Sequence, residues 1–293
     1  MNHQPAIRNY ARALRHFTST RGVEVLALQA SPILGCVLGG FKFERGGMLR
    51  FGLLLLGSLA LTAHVFVLND WAGHNTDIRD PRRAKLLILR QGISSRRIAR
   101  IAIALIVLAN VAFAGLGSAA ILISAAIAAL SLLYSCSPAF GKSTPVISSV
   151  NHLLGGALHF LLGYTLVHVL DARGVMISVF FGLVFAAGHL NQEVRDYESD
   201  LLSDVRTNAV VFGRRQAFIA SLCIFTAAYA ALAIFAAVGI LSRMMLYATI
   251  LFPLHVAWSL QALRRGLGFE TAQWMQRRYR LLFALIGLVM LAR

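Results

Sequence analysis

Apolar residues run through this chain in long blocks, at about 23–41, 48–69, 98–116, 118–135, 146–170, 173–192, 215–238, 243–262 and 278–292. Most come close to the roughly 20 residues a helix needs to cross a bilayer. Polar and charged residues gather in the short segments between the blocks. A segment inside hydrocarbon must satisfy its backbone hydrogen bonds internally, and runs this uniformly apolar do not suit the alternating strands of a barrel. The pattern therefore predicts an all-α membrane protein with nine transmembrane helices. An odd count puts the termini on opposite sides of the membrane.

Composition supports that class. Of 293 residues, 58% are hydrophobic and 14% charged, against about a quarter charged in soluble domains. A net charge of +16, from 28 Lys+Arg and 12 Asp+Glu, would suggest nucleic acid in a soluble protein. Here polar sequence is too scarce for a nucleic-acid-binding domain, and the partner implied is the lipid bilayer. With the N-terminus cytoplasmic, 22 basic residues face inward: Arg8, Arg12, Arg15 and Arg21, the eight between 79 and 100, Lys142, Arg195, Arg206, Arg214 and Arg215, and Arg264, Arg265, Arg277, Arg278 and Arg280. Six face outward: Lys42, Arg45, Arg50, Arg173, Arg243 and Arg293. That asymmetry sets the orientation. Residues 1–22 read as a cytoplasmic segment lacking the apolar core and cleavage site of a signal peptide, followed by one domain over 23–293, as in a bacterial inner-membrane protein. Cys36, Cys136 and Cys223 are odd in number and lack metal-ligand spacing, which rules out a disulfide framework.

The acidic residues narrow the chemistry. Eight of the twelve fall in two segments, Asp70, Asp77 and Asp80 after the second apolar run, and Glu193, Asp196, Glu198, Asp200 and Asp204 after the sixth. Both follow an even-numbered span, so both are expected on the cytoplasmic face. On a continuous helix Asp196, Asp200 and Asp204 stack on one face with Glu193 three residues earlier; Asn69, Gly73 and Asp77 share a face, and Asp70, His74 and Asp77 nearly share another. A solvated acidic cap balanced by Arg195 and Arg206 is the simpler alternative. Two carboxylate clusters flanked by cations suggest divalent-metal sites, since Mg²⁺ prefers carboxylate oxygens and completes its shell with water and substrate phosphates. The arginines and lysines nearby then complement a diphosphate.

At these residues the chain resembles the UbiA superfamily of intramembrane prenyltransferases, typified by 4-hydroxybenzoate polyprenyltransferase. Asn69 to Asp77 (N-D-W-A-G-H-N-T-D) is similar to the signature N-D-x-x-D-x-x-x-D. Asp196 to Asp200 (D-Y-E-S-D), continuing through Arg206, Thr207 and Gly213, is similar to the second signature. Tyr134-Ser135-Cys136-Ser137-Pro138 with Lys142 and Asn151 looks like the family's Y-S-P…K…N connection. Three departures stand out: Gly73 occupies the place of a metal-binding Asp, Asp204 the place of a Gly, and the stretch 85–94 lacks the proline of the family's R-P-x-x-x-G-x-I-S run.

The resemblance implies helices around a central cavity with a cytoplasmic cap, and a prenyltransferase, an enzyme transferring alkyl or aryl groups other than methyl. It would pass a prenyl group from an isoprenyl diphosphate to a hydrophobic acceptor, aromatic as in the type member. It implies Mg²⁺ held by Asn69, Asp70, Asp77, Asp196, Asp200 and Glu193. Asp70, Asp77, Asp196, Asp200 and Lys142 are the expected catalytic residues, and Asn69, Tyr134, Lys142, Asn151, Arg206 and Lys85 the substrate-binding ones. The Tyr134 ring face suits an allylic cation.

A terpene cyclase of the same superfamily, needing no acceptor, is the alternative. An ion-binding or transport protein is a further one, although transport sites usually sit at mid-bilayer. His152, His159, His168 and His189 are expected to cap backbone groups or line the cavity, with His189, one turn before Glu193, facing the acids. Phe140, Phe160, Phe180 and Phe181 are candidates for a tail channel. Gly39-Gly40 and Gly155-Gly156 are read as close helix contacts, and the arginines between 264 and 280 as orientation signals.

Overall fold

Helices occupy most of each apolar run in the computed structural model, which describes residues 4–85 and 87–292. Leu86, in the 85–94 stretch, and Arg293, among the outward charges, lie outside the described residues, as do the side chains of Arg8 and Arg90. The helices are α1 (Gln4–Leu28), α2 (Ala30–Leu38), α3 (Arg45–Ala72), α4 (His74–Asp77), α5 (Pro81–Ala84), α6 (Ser95–Ala114), α7 (Ser118–Cys136) and α8 (Ile147–Tyr164). They continue with α9 (Ala172–Arg195), α10 (Tyr197–Leu202), α11 (Asn208–Phe212), α12 (Arg214–Ala237), α13 (Met245–Ala248), α14 (Leu251–Arg264) and α15 (Phe269–Leu291). No strand occurs among the described residues.

Seven stretches are long and apolar enough to cross a membrane: Asn9–Leu38, Arg45–Ala72, Ser95–Ala114, Ser118–Cys136, Ala172–Arg195, Arg214–Ala237 and Met245–Arg264. The runs at 146–170 and 278–292 hold helices too, but α8, 18 residues long, carries Asn151, His152 and His159 and α15 carries Glu270, Arg277, Arg278 and Arg280. Length and composition therefore support seven of the nine expected spans. In the N-terminal segment α1 begins at Gln4 and runs without a break into the first apolar run. The Thr18 and Thr20 hydroxyls fold back onto the Leu14 and His16 carbonyls, so these polar residues bring no competing loop. Pro32 ends α1, because its ring clashes with the carbonyl four residues back, at Leu28.

The chain forms two compact units. The first holds Met1–Ala30, Lys42–Ser137 and Leu202–Asp204. In it α3 packs on α6 and α7, while α1 lies on α3 and on the 3₁₀ turn Ile88–Gln91. Ala13, Val67, Ile88, Ile93, Ile98 and Ala102 form one buried cluster of this unit, and His64 Nδ1 lies 2.8 Å from the Ala102 carbonyl, tying α3 to α6.

The second unit holds Ser31–Phe41, Pro138–Leu201 and Val205–Arg293, with α9 packed by α8, α12 and α15. Here α2 and α8 meet backbone to backbone. A Cβ on Gly163 would fall 1.8 Å from the Pro32 carbonyl oxygen, and one on Gly35 2.2 Å from that of Phe160. Asp171 caps α9 by accepting from the Gly174 N–H at 2.7 Å, a bond that holds its carboxyl below the usual carboxylate range. Arg173 donates to the carbonyls of Leu38 and Ile240, tying the ends of α2, α9 and α12.

The phenylalanines expected along a tail channel divide. Phe160, Phe180 and Phe181 are buried and packed against each other, with Phe160 stacked on Phe181 at 4.5 Å, whereas Phe140 is exposed. They belong to the core, where stacked and edge-to-face rings bury large apolar area. Of the paired glycines, Gly156 makes the expected close contact, with Phe185; Gly155 faces open space and Gly40 makes a left-handed turn.

Candidate functional site

The first motif sits where α3 stops. Gly73 caps α3, its N–H bonded to the Asn69 carbonyl at 2.8 Å, and the chain restarts as the single turn α4. The Asp77 N–H in turn bonds the Gly73 carbonyl at 2.9 Å, so the four-residue spacing of Asn69, Gly73 and Asp77 survives across the break. Asp70 is buried, and its Oδ1 accepts from the Arg21 guanidinium at 3.2 Å. The Asp70 Oδ2 and the Asn69 Oδ1 are buried with no hydrogen-bond partner. Asp77, less buried, lies 3.4 Å from Arg83. Asp80 is spent on structure, its side chain capping α5 through the Arg82 N–H at 2.8 Å. Lys85 is exposed just after α5, and Tyr134 is half-buried near the end of α7. Trp71 donates to Ser95 at 2.8 Å and borders an apolar cavity of about 340 Å³ lined also by Leu68, Ala102, Ile106 and Leu132.

The second motif breaks in the same way. Asp196 is the C-cap of α9, and α10 restarts at Tyr197. The Asp200 N–H still bonds the Asp196 carbonyl at 2.9 Å, so the four-residue spacing survives across the break. Both Asp196 oxygens take a fork from Arg195, each at 2.7 Å, and Arg195 also donates to Gln276. Asp200 is buried. Glu198 is taken by Arg214, whose guanidinium lies over the Tyr197 ring at 4.3 Å. Arg206 is exposed.

Glu193 is the centre of a buried network. Its Oε1 accepts from Asn208 at 3.1 Å and Ser148 at 3.3 Å and lies 2.9 Å from His189 Nε2, while Oε2 is buried without a hydrogen-bond partner. His189 stacks on His152 with ring centres 3.7 Å apart. His189 thus faces Glu193, whereas His159 is buried beside Phe185 and His168 is exposed.

The connection before α8 is shaped by the same asparagine. Val146 has φ 67 and ψ −53, the strained γ-turn geometry, closed by the Ile147 N–H on the Pro145 carbonyl at 2.8 Å. Asn208 Oδ1 holds it by accepting from the Val146 N–H at 2.7 Å. Half-buried Lys142 lies on this connection, and Asn151 closes onto the Phe140 carbonyl at 2.9 Å. Asn208→Ala removes the bonds to Val146, Ser148, Ser149 and Glu193 and leaves Glu193 buried with fewer donors. It is expected to destabilise the protein by about 2–3 kcal/mol, read as a fall in the thermal midpoint; an unchanged midpoint would contradict the network's role.

No curated protein matches the chain in sequence. The pattern of the UbiA prenyltransferase family matches residues 33–286. The chain belongs to this family. Among solved structures, a UbiA homologue from Archaeoglobus fulgidus bound to GPP and Mg²⁺ is 17% identical with a TM-score of 0.71, covering 95% of this chain and 99% of that one. A digeranylgeranylglyceryl phosphate synthase is 17% identical at a TM-score of 0.71, covering 96% and 98%. The apo UbiA homologue from Aeropyrum pernix K1 is 18% identical at 0.69, covering 90% and 96%. At these identities the likeness is one of fold. This UbiA protein is thus an integral, multi-pass membrane protein of prenyltransferase type.

One departure from the UbiA pattern has a structural reading. Asp204 does not continue the stack of Asp196 and Asp200. It lies past the end of α10 with φ 60, a left-handed conformation that glycine, the usual UbiA residue here, takes freely and other residues adopt at a cost. Asp204→Gly is expected to raise stability by up to about 1 kcal/mol without loss of turnover. A lowered thermal midpoint would show that the carboxylate is needed there. Beside it Ser203 donates to the Thr76 carbonyl at 3.0 Å. Sequence reasoning missed Arg21, which it assigned to orientation, and Asn208 and Ser148, which carry no charge to attract notice.

Proposed function

We propose that this chain transfers a prenyl group from an isoprenyl diphosphate to a hydrophobic acceptor within the membrane, in a Mg²⁺-dependent reaction. The supporting observation is the set of buried oxygens without hydrogen-bond partners on Asn69, Asp70 and Glu193, on the two acidic motifs of a UbiA-family chain. An oxygen-only donor set suits Mg²⁺, which binds through one or two carboxylates and keeps waters and phosphate oxygens. Among the described residues no group of three or more His, Cys, Asp or Glu gathers to hold a metal.

In this reading Asn69, Asp70 and Asp77 of the first motif, and Asp196, Asp200 and Glu193 through its Oε2 in the second, are the metal ligands. When bound, the metal stabilises charge developing on the departing diphosphate. Arg21 and Arg195 position Asp70 and Asp196. Lys142 supplies a cation to the diphosphate, with Asn69, Asn151, Arg206 and Lys85 as further polar contacts and Tyr134 offering a ring face to the allylic cation. Apolar walls such as those of the cavity beside Trp71 exclude water. The family match supports 23–293 as a single domain, and the excess of basic residues on one set of loops supports a cytoplasmic N-terminus in a bacterial inner membrane.

Calorimetric titration with geranyl diphosphate tests the reading. Binding is expected in Mg²⁺ and lost in excess chelator; equal affinity in both would contradict it. Lys142→Met is expected to weaken donor binding about tenfold. An unchanged KM would return Lys142 to an orientation role.

A further inference from the structure

The arginines at the junction of α14 and α15 are gathered, not scattered. The Arg278 guanidinium lies 3.9 Å from the centre of the Trp274 ring and 5.2 Å from that of Trp258, and Arg265 lies 5.3 Å from Trp274. Two like charges therefore share one indole. Neither has a carboxylate partner among the described residues, and the Arg278 Nε is buried with no hydrogen-bond partner. An internal counter-ion is missing where repulsion calls for one.

Depth indicates where the counter-ion comes from. Trp258 lies near the end of the candidate span Met245–Arg264, and tryptophan favours the membrane interface. Arg265 directly follows that span, which puts it at the level of the lipid phosphates, and Arg278 shares the Trp274 ring with it. On α15, Arg278 is followed at helical spacing by Leu281, Leu285 and Leu288, all exposed, so one stripe presents a cation and then an apolar track.

We propose that Arg265 and Arg278, backed by Trp258 and Trp274, bind the headgroup phosphate of an anionic phospholipid whose acyl chain lies along Leu281, Leu285 and Leu288. The indoles cover guanidinium faces and leave N–H edges, the geometry that suits phosphate oxygens. Charge complementarity selects an anionic lipid over a zwitterionic one.

Native mass spectrometry of the detergent-solubilised chain tests this, with phosphatidylglycerol, phosphatidylcholine and inorganic phosphate as separate additions. The wild-type protein should retain phosphatidylglycerol in preference to phosphatidylcholine, and inorganic phosphate should not displace it. Arg265→Gln/Arg278→Gln should bind phosphatidylglycerol about tenfold more weakly or worse while keeping its thermal midpoint in zwitterionic detergent. If the double variant does not fold, Arg278→Gln alone serves, with the same loss of preference expected. Wild-type preference in a folded variant, or displacement of the lipid by inorganic phosphate, would overturn the proposal.

Discussion

Asp200→Ala is expected to lower turnover by about a hundredfold or more while the protein is extracted from membranes at the wild-type yield. The Asp200 N–H bonds the Asp196 carbonyl and its own carbonyl accepts from Val205, and alanine keeps both bonds. The side chain is a buried acid four residues from a second acid that Arg195 holds in a bidentate fork. Turnover and extracted yield measured on the same preparation decide the matter. Full activity in the alanine variant would remove the second motif from the reaction, whereas loss of both activity and yield would make the residue structural.

Gly163→Ala is expected to cost stability, by more than about 3 kcal/mol, and to reduce the folded yield sharply. The added Cβ would fall 1.8 Å from the Pro32 carbonyl oxygen, with Tyr164 and Phe160 already meeting Gly35 across the same contact. The obstacle is backbone, so no rotamer change relieves it, and α2 would have to lift from α8. Gly155→Ala is the matched control, since nothing lies within 4 Å of its Cβ position and alanine favours a helix over glycine by about 1 kcal/mol. Equal midpoints for the two variants would contradict the close contact.

The membrane architecture was legible in the sequence because a bilayer demands length and apolarity, and both can be read directly from the sequence. Helix ends were less legible. Pro32 marks the break after Leu28 by a known clash, but the stops at Gly73 and Asp196 fall inside motifs whose spacing alone reads as continuous helix. Asp204 looked like a third rung of an acidic ladder until its left-handed backbone was seen. The Arg21 pairing with Asp70 spans 49 residues of chain, and pattern within a window cannot reveal a contact at that separation. The Asn208 network was hidden for a different reason. Its members are uncharged or scattered over three elements, and their significance lies in burial, which the sequence does not display. The histidines followed the same rule, since His189 was readable from its single turn to Glu193 and its stacking on His152 was not.

The central claim is that a prenyl group leaves diphosphate in a metal-dependent step and is captured by an acceptor. Mass spectrometry of lipids extracted after purified protein is incubated with Mg²⁺, an isoprenyl diphosphate and 4-hydroxybenzoate or another hydrophobic acceptor measures that outcome directly. The account predicts an acceptor heavier by one prenyl group, absent in excess chelator. A cyclic hydrocarbon formed with no acceptor consumed, or a prenylated product formed equally in chelator, would contradict it.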